Sequence, residues 1–297
     1  MADTGHRSRL FCFGLGYSAG RLAHALIADG WRVAGTTQTA AGQARLAAEG
    51  LDAYRFDGKS PLVDARTALA GATHILCSVP PGPAGDPALI HHLGDVRAVR
   101  TLQWIGYLST TGVYGDTLGA TVDELSPLNP TSERSRHRVA AEATWLKVAG
   151  DHKLPVHVFR LAGIYGPGRS ALDQVRSGTA RRIERPGQLF SRIHADDIAN
   201  VIRASMANPN PGAVYNVCDD EPTSPADVTA FACELLGVAP PPAVPFEEAR
   251  VTMSAMALSF WRDNRRVSNR RIREELGVVL KYPSYREGLR AVLAEGG

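Results

Sequence analysis

A short glycine-rich turn near the start of the chain constrains the fold most, because it follows an apolar run and opens a helix-like stretch. The turn spans residues 14–19 and the apolar run before it spans residues 10–13. Gly14 permits a tight turn, Gly16 lets the backbone approach a ligand, and Ala19 is small enough for a helix to pack against its strand. The free N–H groups of such a helix attract an anion. The turn therefore predicts a dinucleotide pyrophosphate site, although an ordinary strand-to-helix turn would also fit.

Apolar runs then alternate with helix-like stretches through the first two hundred residues, as they do in parallel βαβ units. We expect strands at residues 10–13, 32–36, 53–56, 74–79, 103–109 and 156–160. We expect helices at residues 19–29, 41–49, 61–69, 87–99 and 135–150. Right-handed crossovers would wind these strands into one open sheet with helices on both faces. The pattern therefore predicts the α/β class, a doubly wound parallel sheet whose ligands lie beyond the carboxyl ends of the strands.

The regular alternation of strand-like and helix-like segments ends after Arg160, where clusters of Gly and Pro separate shorter segments. This change indicates a smaller C-terminal lobe that binds the substrate. We assign residues 1–168 to the dinucleotide-binding domain, with residues 192–218 returning to it. Residues 169–191 and 219–297 then form the substrate-binding lobe.

Composition excludes several classes of protein. The chain has 297 residues, of which 44% are hydrophobic, so disorder is not expected. Its net charge of +3 gives no argument for nucleic acid or for an anionic membrane. The four cysteines lie far apart without a CxxC spacing, so we expect buried reduced thiols and neither disulfides nor a metal site.

The chain also lacks the signals of a membrane or secreted protein. No apolar run reaches the roughly 18 residues that span a bilayer, and the polar residues 2–7 do not form a signal peptide. We therefore expect a cytoplasmic protein. We expect it to bind a small-molecule substrate and to bind neither nucleic acid nor a membrane. The sequence leaves open whether it forms a homodimer.

Further segments follow the glycine turn in a specific order. They are Asp57-Gly58, the runs Leu-Ser-Thr-Thr-Gly-Val-Tyr-Gly at 108–115, Ala-Ala-Glu at 140–142 and Phe-Arg-Leu-Ala-Gly-Ile-Tyr-Gly-Pro-Gly at 159–168, then Arg-Ile-His-Ala-Asp-Asp-Ile-Ala at 192–199, Tyr-Asn-Val at 215–217 and Asn-Arg-Arg-Val-Ser-Asn at 264–269. Together they resemble the extended and atypical short-chain dehydrogenase/reductases, often called the NAD-dependent epimerase/dehydratase family. The resemblance covers nearly the whole chain and implies a Rossmann-type sheet, but it says less about the reaction.

The end of the second predicted strand bears on the form of the cofactor. An acidic residue about 20 positions after the turn would bind the ribose hydroxyls of NAD. This chain has Thr36, Thr37 and Gln38 there, so no carboxylate repels a 2′-phosphate. The hydroxyls favour NADP(H) over NAD, and by resemblance Ala19 favours the same cofactor.

The remaining cofactor contacts are expected at the ends of other strands. Ser78, Val79 and Pro80 follow the fourth strand and should line the cofactor groove. Asp57 fits a contact to adenine and an ordinary Asp-Gly turn equally well. The predicted cofactor-binding residues are Gly14, Gly16, Tyr17, Ser18, Ala19, Thr36, Thr37, Gln38, Asp57, Ser78, Val79, Pro80, Thr110, Arg138, Leu161 and Gly163.

The resemblance implies a catalytic Tyr followed four residues later by a Lys, together with a Ser or Thr from the preceding strand. The spacing puts both side chains on one helix face, where the Lys lowers the pKa of the Tyr. Aligned on residues 140–142, Arg134 stands at the Tyr position and Arg138 at the Lys position. An arginine stays protonated near neutral pH, so Arg134 cannot act as a general acid. Arg138 could still bind ribose hydroxyls or a phosphate, and Thr110 keeps the hydroxyl of the triad.

Which group replaces the tyrosine is left open by the sequence. Tyr114, Tyr165 and His137 could each reach a cleft, and we take Thr110 and Tyr114 as the candidate catalytic residues. The Arg-rich segment at 262–273 fits a solvated face or the lining of an anion site, because aromatic residues do not alternate with its arginines. Two functions follow: an oxidoreductase acting on a small polar or anionic substrate, or a catalytically silent NAD(P)-binding sensor or interaction module.

Overall fold

The structure, a computed structural model, describes residues 8–296, so the polar start at residues 2–7 lies outside it. The strands are β1 (Arg9–Phe13), β2 (Arg32–Thr37), β3 (Asp52–Arg55), β4 (His74–Cys77), β5 (Trp104–Thr110), β6 (Thr121–Val122), β7 (Val156–Leu161), β8 (Gly163–Tyr165), β9 (Arg182–Glu184), β10 (Arg192–His194), β11 (Val214–Val217), β12 (Ala243–Pro245) and β13 (Arg266–Val267). The helices are α1 (Tyr17–Ala28), α2 (Ala40–Ala48), α3 (Ala65–Leu69), α4 (Pro87–Ala98), α5 (Glu133–His152), α6 (Ala171–Arg176), α7 (Ala195–Ala207), α8 (Pro225–Leu235), α9 (Phe246–Ala249), α10 (Ala255–Trp261), α11 (Arg270–Leu276) and α12 (Tyr285–Ala294). Two short 3₁₀ helices span Thr111–Tyr114 and Arg250–Thr252.

Seven strands form the central sheet, in the spatial order β3-β2-β1-β4-β5-β7-β11. The pairs β1–β2, β2–β3, β1–β4 and β4–β5 are parallel. The direction of winding reverses between β1 and β4, and ligands of open α/β sheets bind beyond the carboxyl ends of the strands at such a point. The predicted α/β class with a Rossmann-type doubly wound sheet is confirmed.

Parallel strands that are covered on both faces read as continuous apolar runs, because both sets of their side chains are buried. All five residues of β1 are buried, and Phe11 packs edge-on against Phe13 with ring centroids 5.0 Å apart. Ile75, Ile105 and Val158 belong to the same core. The continuous apolar run in the sequence therefore corresponds to the middle of the sheet.

The chain divides into two compact units. Unit 1 consists of residues 8–109, 136–160 and 199–215, and unit 2 consists of residues 110–135, 161–198 and 216–296. In unit 2, β8 pairs with β10, β9 with β12 and β6 with β13, each pair parallel. The functional boundaries predicted at residues 168, 191 and 218 stay a prediction.

Two further features bear on the expectations from composition. The four cysteines are buried and unpaired, as their spacing predicted. Among residues 8–296, no helix has both the length and the apolar character needed to cross a bilayer.

Candidate functional site

In unit 1, the turn between β1 and α1 leaves open space in front of a helix N-terminus. Gly14 has a φ of +91°, and a Cβ there would lie 2.8 Å from Ser78 Oγ, so both conformation and space require glycine. Gly16 is the N-cap of α1 and, within residues 8–296, no side chain caps the helix there. Apart from chain neighbours, no described atom lies within 4 Å of where a Gly16 Cβ would stand. The first turn also has no acidic residue, so the helix end fits a phosphate group.

Two hydroxyl groups hold this turn in place. Thr36 Oγ1 accepts a hydrogen bond from the Gly14 N–H at 2.8 Å, and the Thr36 carbonyl accepts one from the Leu15 N–H at 2.8 Å. Ser78 Oγ donates to the Gly14 carbonyl at 2.6 Å. Thr36 is only 1% exposed, so its hydroxyl acts on the shape of the turn. Its predicted contact with a cofactor stays a prediction.

The residues after β2 lie at the start of α2. Gln38 is exposed, whereas Thr37 lies partly buried against Gly42, where a Cβ would come within 2.4 Å of Thr37 Oγ1. Thr39 caps α2 by accepting a hydrogen bond from the Gly42 N–H at 3.0 Å. Gln38 is therefore the accessible side chain of the predicted pair Thr37 and Gln38.

Other predicted cofactor residues of unit 1 surround the turn. Val79 lies beside Gly14, because a Cβ built on Gly14 would be 3.2 Å from Val79 Cγ2. Pro80 is exposed. Tyr17 is partly exposed, while Ser18 and Ala19 are buried in the first turn of α1.

Asp57 lies at the exposed end of β3 and forms a local turn. Its Oδ1 accepts a hydrogen bond from the Lys59 N–H at 2.9 Å. This backbone hydrogen bond lowers the pKa of Asp57 below its ordinary value. Of the two interpretations left open for Asp57, the structure shows the turn, and an adenine contact stays a prediction.

Arg138 is buried in unit 1 between α5 and β5. Its Nη1 donates to the Leu108 carbonyl at 2.5 Å and to the Tyr107 hydroxyl at 3.2 Å. Its guanidinium also lies over the Tyr107 ring, 5.7 Å from the centroid. Burial raises the pKa of Tyr107, so this phenol stays protonated. These contacts fasten the helix to the strand, and the predicted ribose contact of Arg138 stays a prediction.

A buried ion pair that was not predicted lies one turn further along α5. Arg160 donates from Nη2 and Nε to Glu142 Oε2, at 2.8 and 3.1 Å, and both residues are buried. Ser109 Oγ donates a short hydrogen bond to the other carboxylate oxygen of Glu142. Glu142 was noted in the sequence as part of a motif, but a motif does not identify a partner on another strand.

Unit 2 contains a cavity of about 430 Å³, called here the unit-2 cavity. Its lining contains polar and aromatic side chains. The polar lining includes Thr110, Ser132, Arg134, Ser135, Arg192, Asp263 and Arg265, and the aromatic lining includes Phe190, Phe260 and Trp261. Three arginines thus face one carboxylate, which gives the lining a positive charge that favours an anion.

The three arginines of the cavity differ in their contacts. Arg192 Nη1 donates to the carbonyls of Phe190 and Thr223, each at 2.9 Å. Arg265 Nη1 donates to the Gly115 carbonyl at 2.9 Å and to a carboxylate oxygen of Asp263 at 3.1 Å. Burial lowers the pKa of both Arg192 and Arg265. Arg134 is exposed, and its side chain has no hydrogen-bond or ion-pair partner among residues 8–296.

The two tyrosines considered as catalytic groups are engaged inside unit 2. Tyr114 is 1% exposed and its hydroxyl donates to Asn216 Oδ1 at 2.7 Å. Tyr165 lines the cavity, but its hydroxyl donates to the Ser284 carbonyl at 3.3 Å and burial raises its pKa. The catalytic assignment of Tyr114 stays a prediction.

The other predicted residues of unit 2 are divided between the cavity and the core. Thr110 lines the unit-2 cavity, and its Oγ1 accepts a hydrogen bond from the Gly112 N–H at 3.1 Å. Gly163 lines the same cavity and donates from its N–H to the Ser191 carbonyl at 3.1 Å. Leu161 is buried. The structure therefore brings Thr110 and Gly163 to one cavity and leaves Leu161 in the interior.

Asp219 is a strongly perturbed carboxyl group that sequence reasoning missed. It is 1% exposed, and neither carboxylate oxygen has a hydrogen bond of ordinary geometry to any of residues 8–296. Burial raises the pKa of Asp219 to about 8, against a smaller opposing effect of the Arg192 guanidinium. The nearby backbone N–H groups of Arg192 and Glu221 also lower this pKa. Asp219 occurs in an acidic, turn-like run that gives no sign of burial.

Comparisons with known proteins agree with this fold. The sequence profile of the NAD dependent epimerase/dehydratase family matches residues 96–218. Protein YeeZ of Escherichia coli K12 is 32% identical over 241 residues, which cover 77% of this chain and 84% of that protein. A conserved protein of unknown function from Silicibacter pomeroyi is 51% identical, with a TM-score of 0.88 over 97% of this chain and 99% of that chain.

A more distant structure shares the fold alone. The UDP-glucuronic acid 4-epimerase of Bacillus cereus, solved with UDP-glucuronic acid and NAD, is 16% identical. Its TM-score is 0.78, and the match covers 96% of this chain and 98% of that chain.

Proposed function

The chain belongs to the NAD-dependent epimerase/dehydratase family, and we propose that it is an NADP(H)-binding oxidoreductase that acts on a small polar or anionic substrate. We place it in the cytoplasm, where its four unpaired cysteines would stay reduced. The solved relative from Bacillus cereus binds NAD, which supports a nicotinamide dinucleotide as the ligand.

The open N-terminus of α1 at Gly16 carries this proposal. A pyrophosphate needs backbone N–H groups, room for close approach and no competing carboxylate. Gly16 leaves that room, and the first turn of α1 has no acidic residue. The hydrogen bonds from Gly14 to Thr36 and from Ser78 to Gly14 hold the turn in the required shape without a ligand.

The dinucleotide would supply hydride transfer when bound, and the residues of the chain would bind and orient it. The turn at Gly14 and Gly16 would hold the phosphates, and the exposed Gln38 would face the adenosine ribose. No carboxylate occurs at residues 36–39, so this end of β2 accepts a 2′-phosphate. This composition supports NADP(H) over NAD.

The side chains of Arg134, Tyr114 and Tyr165 are poor donors for the proton that accompanies reduction. Arg134 stays charged near neutral pH, and the hydroxyls of Tyr114 and Tyr165 donate to protein acceptors. We therefore propose that water or the substrate itself supplies this proton. Epimerisation and dehydration both need a competent base, so simple reduction of a carbonyl group suits these residues better.

Titrating NADPH and NADH against the protein, followed by fluorescence, tests the cofactor assignment. We expect the wild type to bind NADPH more tightly than NADH. Gln38→Glu should weaken the binding of NADPH about tenfold or more, because the new carboxylate repels the 2′-phosphate. The binding of NADH should be unchanged or tighter. Gln38→Ala removes the amide without adding charge and is the matched control.

Three outcomes would contradict the proposal. The wild type could bind neither dinucleotide, or it could bind NADH more tightly than NADPH. Equal NADPH affinity in wild type and Gln38→Glu would show that the 2′-phosphate does not lie at the end of β2.

A further inference from the structure

We propose that the unit-2 cavity binds an organic carboxylate with a flat apolar body, and that Arg134 holds the carboxylate group. The proposal rests on the proposed function in taking this cavity as the substrate site. It goes further by naming the chemical class of the substrate and the residues that recognise it.

The charge of the lining points to an anion. Arg134, Arg192 and Arg265 line the cavity together with a single carboxylate, Asp263. That carboxylate is already engaged, because one oxygen accepts from Thr131 Oγ1 at 2.7 Å and the other from Arg265 at 3.1 Å. An added anion would therefore meet a net positive wall without displacing Asp263.

Arg134 is the cation that this anion can use. Arg192 and Arg265 are committed to backbone carbonyls and to Asp263. The Arg134 guanidinium has no acceptor within residues 8–296 and lines the cavity from the first turn of α5. A guanidinium presents its N–H groups as a planar fork that matches the two oxygens of a carboxylate.

Two hydroxyl groups of the same lining, those of Thr110 and Ser135, lie close to Gly112. A Cβ on Gly112 would be 2.9 Å from Ser135 Oγ and 3.4 Å from Thr110 Oγ1, so this glycine keeps the space between them clear. Ser135 Oγ accepts from Ser132 Oγ at 2.8 Å, and Thr110 Oγ1 accepts from the Gly112 N–H. Neither hydroxyl donates to another group in the described part of the chain, so both protons are available to a ligand oxygen.

The aromatic residues of the lining, called here the aromatic wall, are partly held in place by packing against one another. Trp261 packs between Phe190, at 5.4 Å between ring centroids, and Phe246, at 5.1 Å. Phe260 also lines the cavity and leaves 58% of its surface exposed, which internal packing does not explain. A flat apolar group that covers Phe260 would gain hydrophobic burial there.

The size and the donor count select a carboxylate. A volume of about 430 Å³ lies within the range of about 300–1,000 Å³ that small-molecule sites occupy. One free guanidinium and two hydroxyls in this lining match the two oxygens of a carboxylate in their number of donors. A phosphate dianion carries more charge and more hydrogen-bond acceptors than these three groups can satisfy. It also has no apolar part that could pack against the aromatic residues of the lining.

Isothermal titration with 2-naphthoate, its neutral analogue 2-naphthamide, and inorganic phosphate tests the proposal on the full chain. We expect wild type to bind 2-naphthoate at least tenfold more tightly than either of the other probes. Arg134→Met keeps an aliphatic side chain and removes the charge. It should therefore weaken the binding of 2-naphthoate roughly 10- to 100-fold and leave the binding of 2-naphthamide unchanged. Arg136→Met, two residues away on α5 and outside the cavity lining, should bind 2-naphthoate like wild type.

Several results would overturn the proposal: no binding of 2-naphthoate to wild type, equal affinity for acid and amide, tighter binding of phosphate, or unchanged binding by Arg134→Met. Phe260→Ser should weaken both naphthyl probes, and unchanged binding would remove the aromatic wall from the site. NADPH is titrated in parallel against wild type and Arg134→Met. Naphthoate binding without NADPH binding would contradict the cofactor assignment alone, and the reverse result would contradict the carboxylate site alone.

Discussion

At the scale of single residues, Asp219 is expected to make the stability of the protein depend on pH. Its folded-state pKa of about 8 lies above the ordinary value of 3.8, so the folded chain holds this proton more tightly than the unfolded chain does. The contribution of Asp219 to the free energy of unfolding is therefore fully present below about pH 4 and is lost as the pH rises toward 8. The slope is at most about 1.4 kcal/mol per pH unit.

Asp219→Asn removes the titration, so its stability relative to wild type should rise with pH across this window. Urea unfolding at pH 5, 7 and 9 measures the difference. Asp220→Asn, on the exposed neighbour, is the control and should show no comparable trend. A stability difference between Asp219→Asn and wild type that stays constant with pH would contradict the buried carboxyl.

Gly14 could be predicted from the sequence at this scale, because its φ of +91° favours glycine. The open space at Gly16 would admit a side chain, so glycine there matters for the approach of a ligand and not for the fold. The roles of Thr36 and Tyr114 could not be predicted from the sequence. The Thr36 hydroxyl acts on Gly14 because β2 lies beside β1, and Tyr114 finds its acceptor on Asn216, 102 residues away. Such contacts depend on strand pairing and not on local spacing.

At the scale of elements, the pair Glu142–Arg160 should contribute strongly to joining α5 to the sheet. Glu142→Ala leaves the buried Arg160 charge without its carboxylate, and we expect a loss of about 3–5 kcal/mol in the free energy of unfolding. Glu49→Ala breaks the exposed pair with Arg45, whose atoms lie 2.6 Å apart, and should cost less than about 1 kcal/mol. Urea denaturation compares the two variants, and similar losses would argue against the buried clamp.

The predicted strands agree with the observed ones to within one or two residues, because buried parallel strands are continuous apolar runs with polar ends. Among the strands of the central sheet and the helices predicted between them, two elements differ from the expectation by more than two residues. The helix expected at residues 61–69 begins only at Ala65, since Asp64 adopts a left-handed conformation with a φ of +56°. Strand β11 was not predicted, because it is four residues long and contains the buried polar Asn216.

At the scale of the whole molecule, the order of motifs along the chain was enough to predict the doubly wound sheet. The unit-2 cavity was beyond sequence reasoning, because its lining comes from three separate parts of the chain, residues 110–135, 162–192 and 225–267. Side chains that converge from such distances share no periodicity. The Arg-rich segment after Trp261 contributes Arg265 to this lining, and its interpretation as part of an anion site stays a prediction.

Binding of NADPH at the turn should stabilise the folded chain against heat. A ligand present at 100 times its Kd adds about 2.7 kcal/mol to the free energy of unfolding if it binds only the folded state. Gly16→Val should abolish this gain without unfolding the protein, because its Cβ meets open space but its side chain blocks the phosphates. Gly20→Ala, also open at Cβ but inside α1, should keep the full gain. Calorimetry with and without NADPH measures all three proteins, and a gain preserved in Gly16→Val would place the dinucleotide elsewhere.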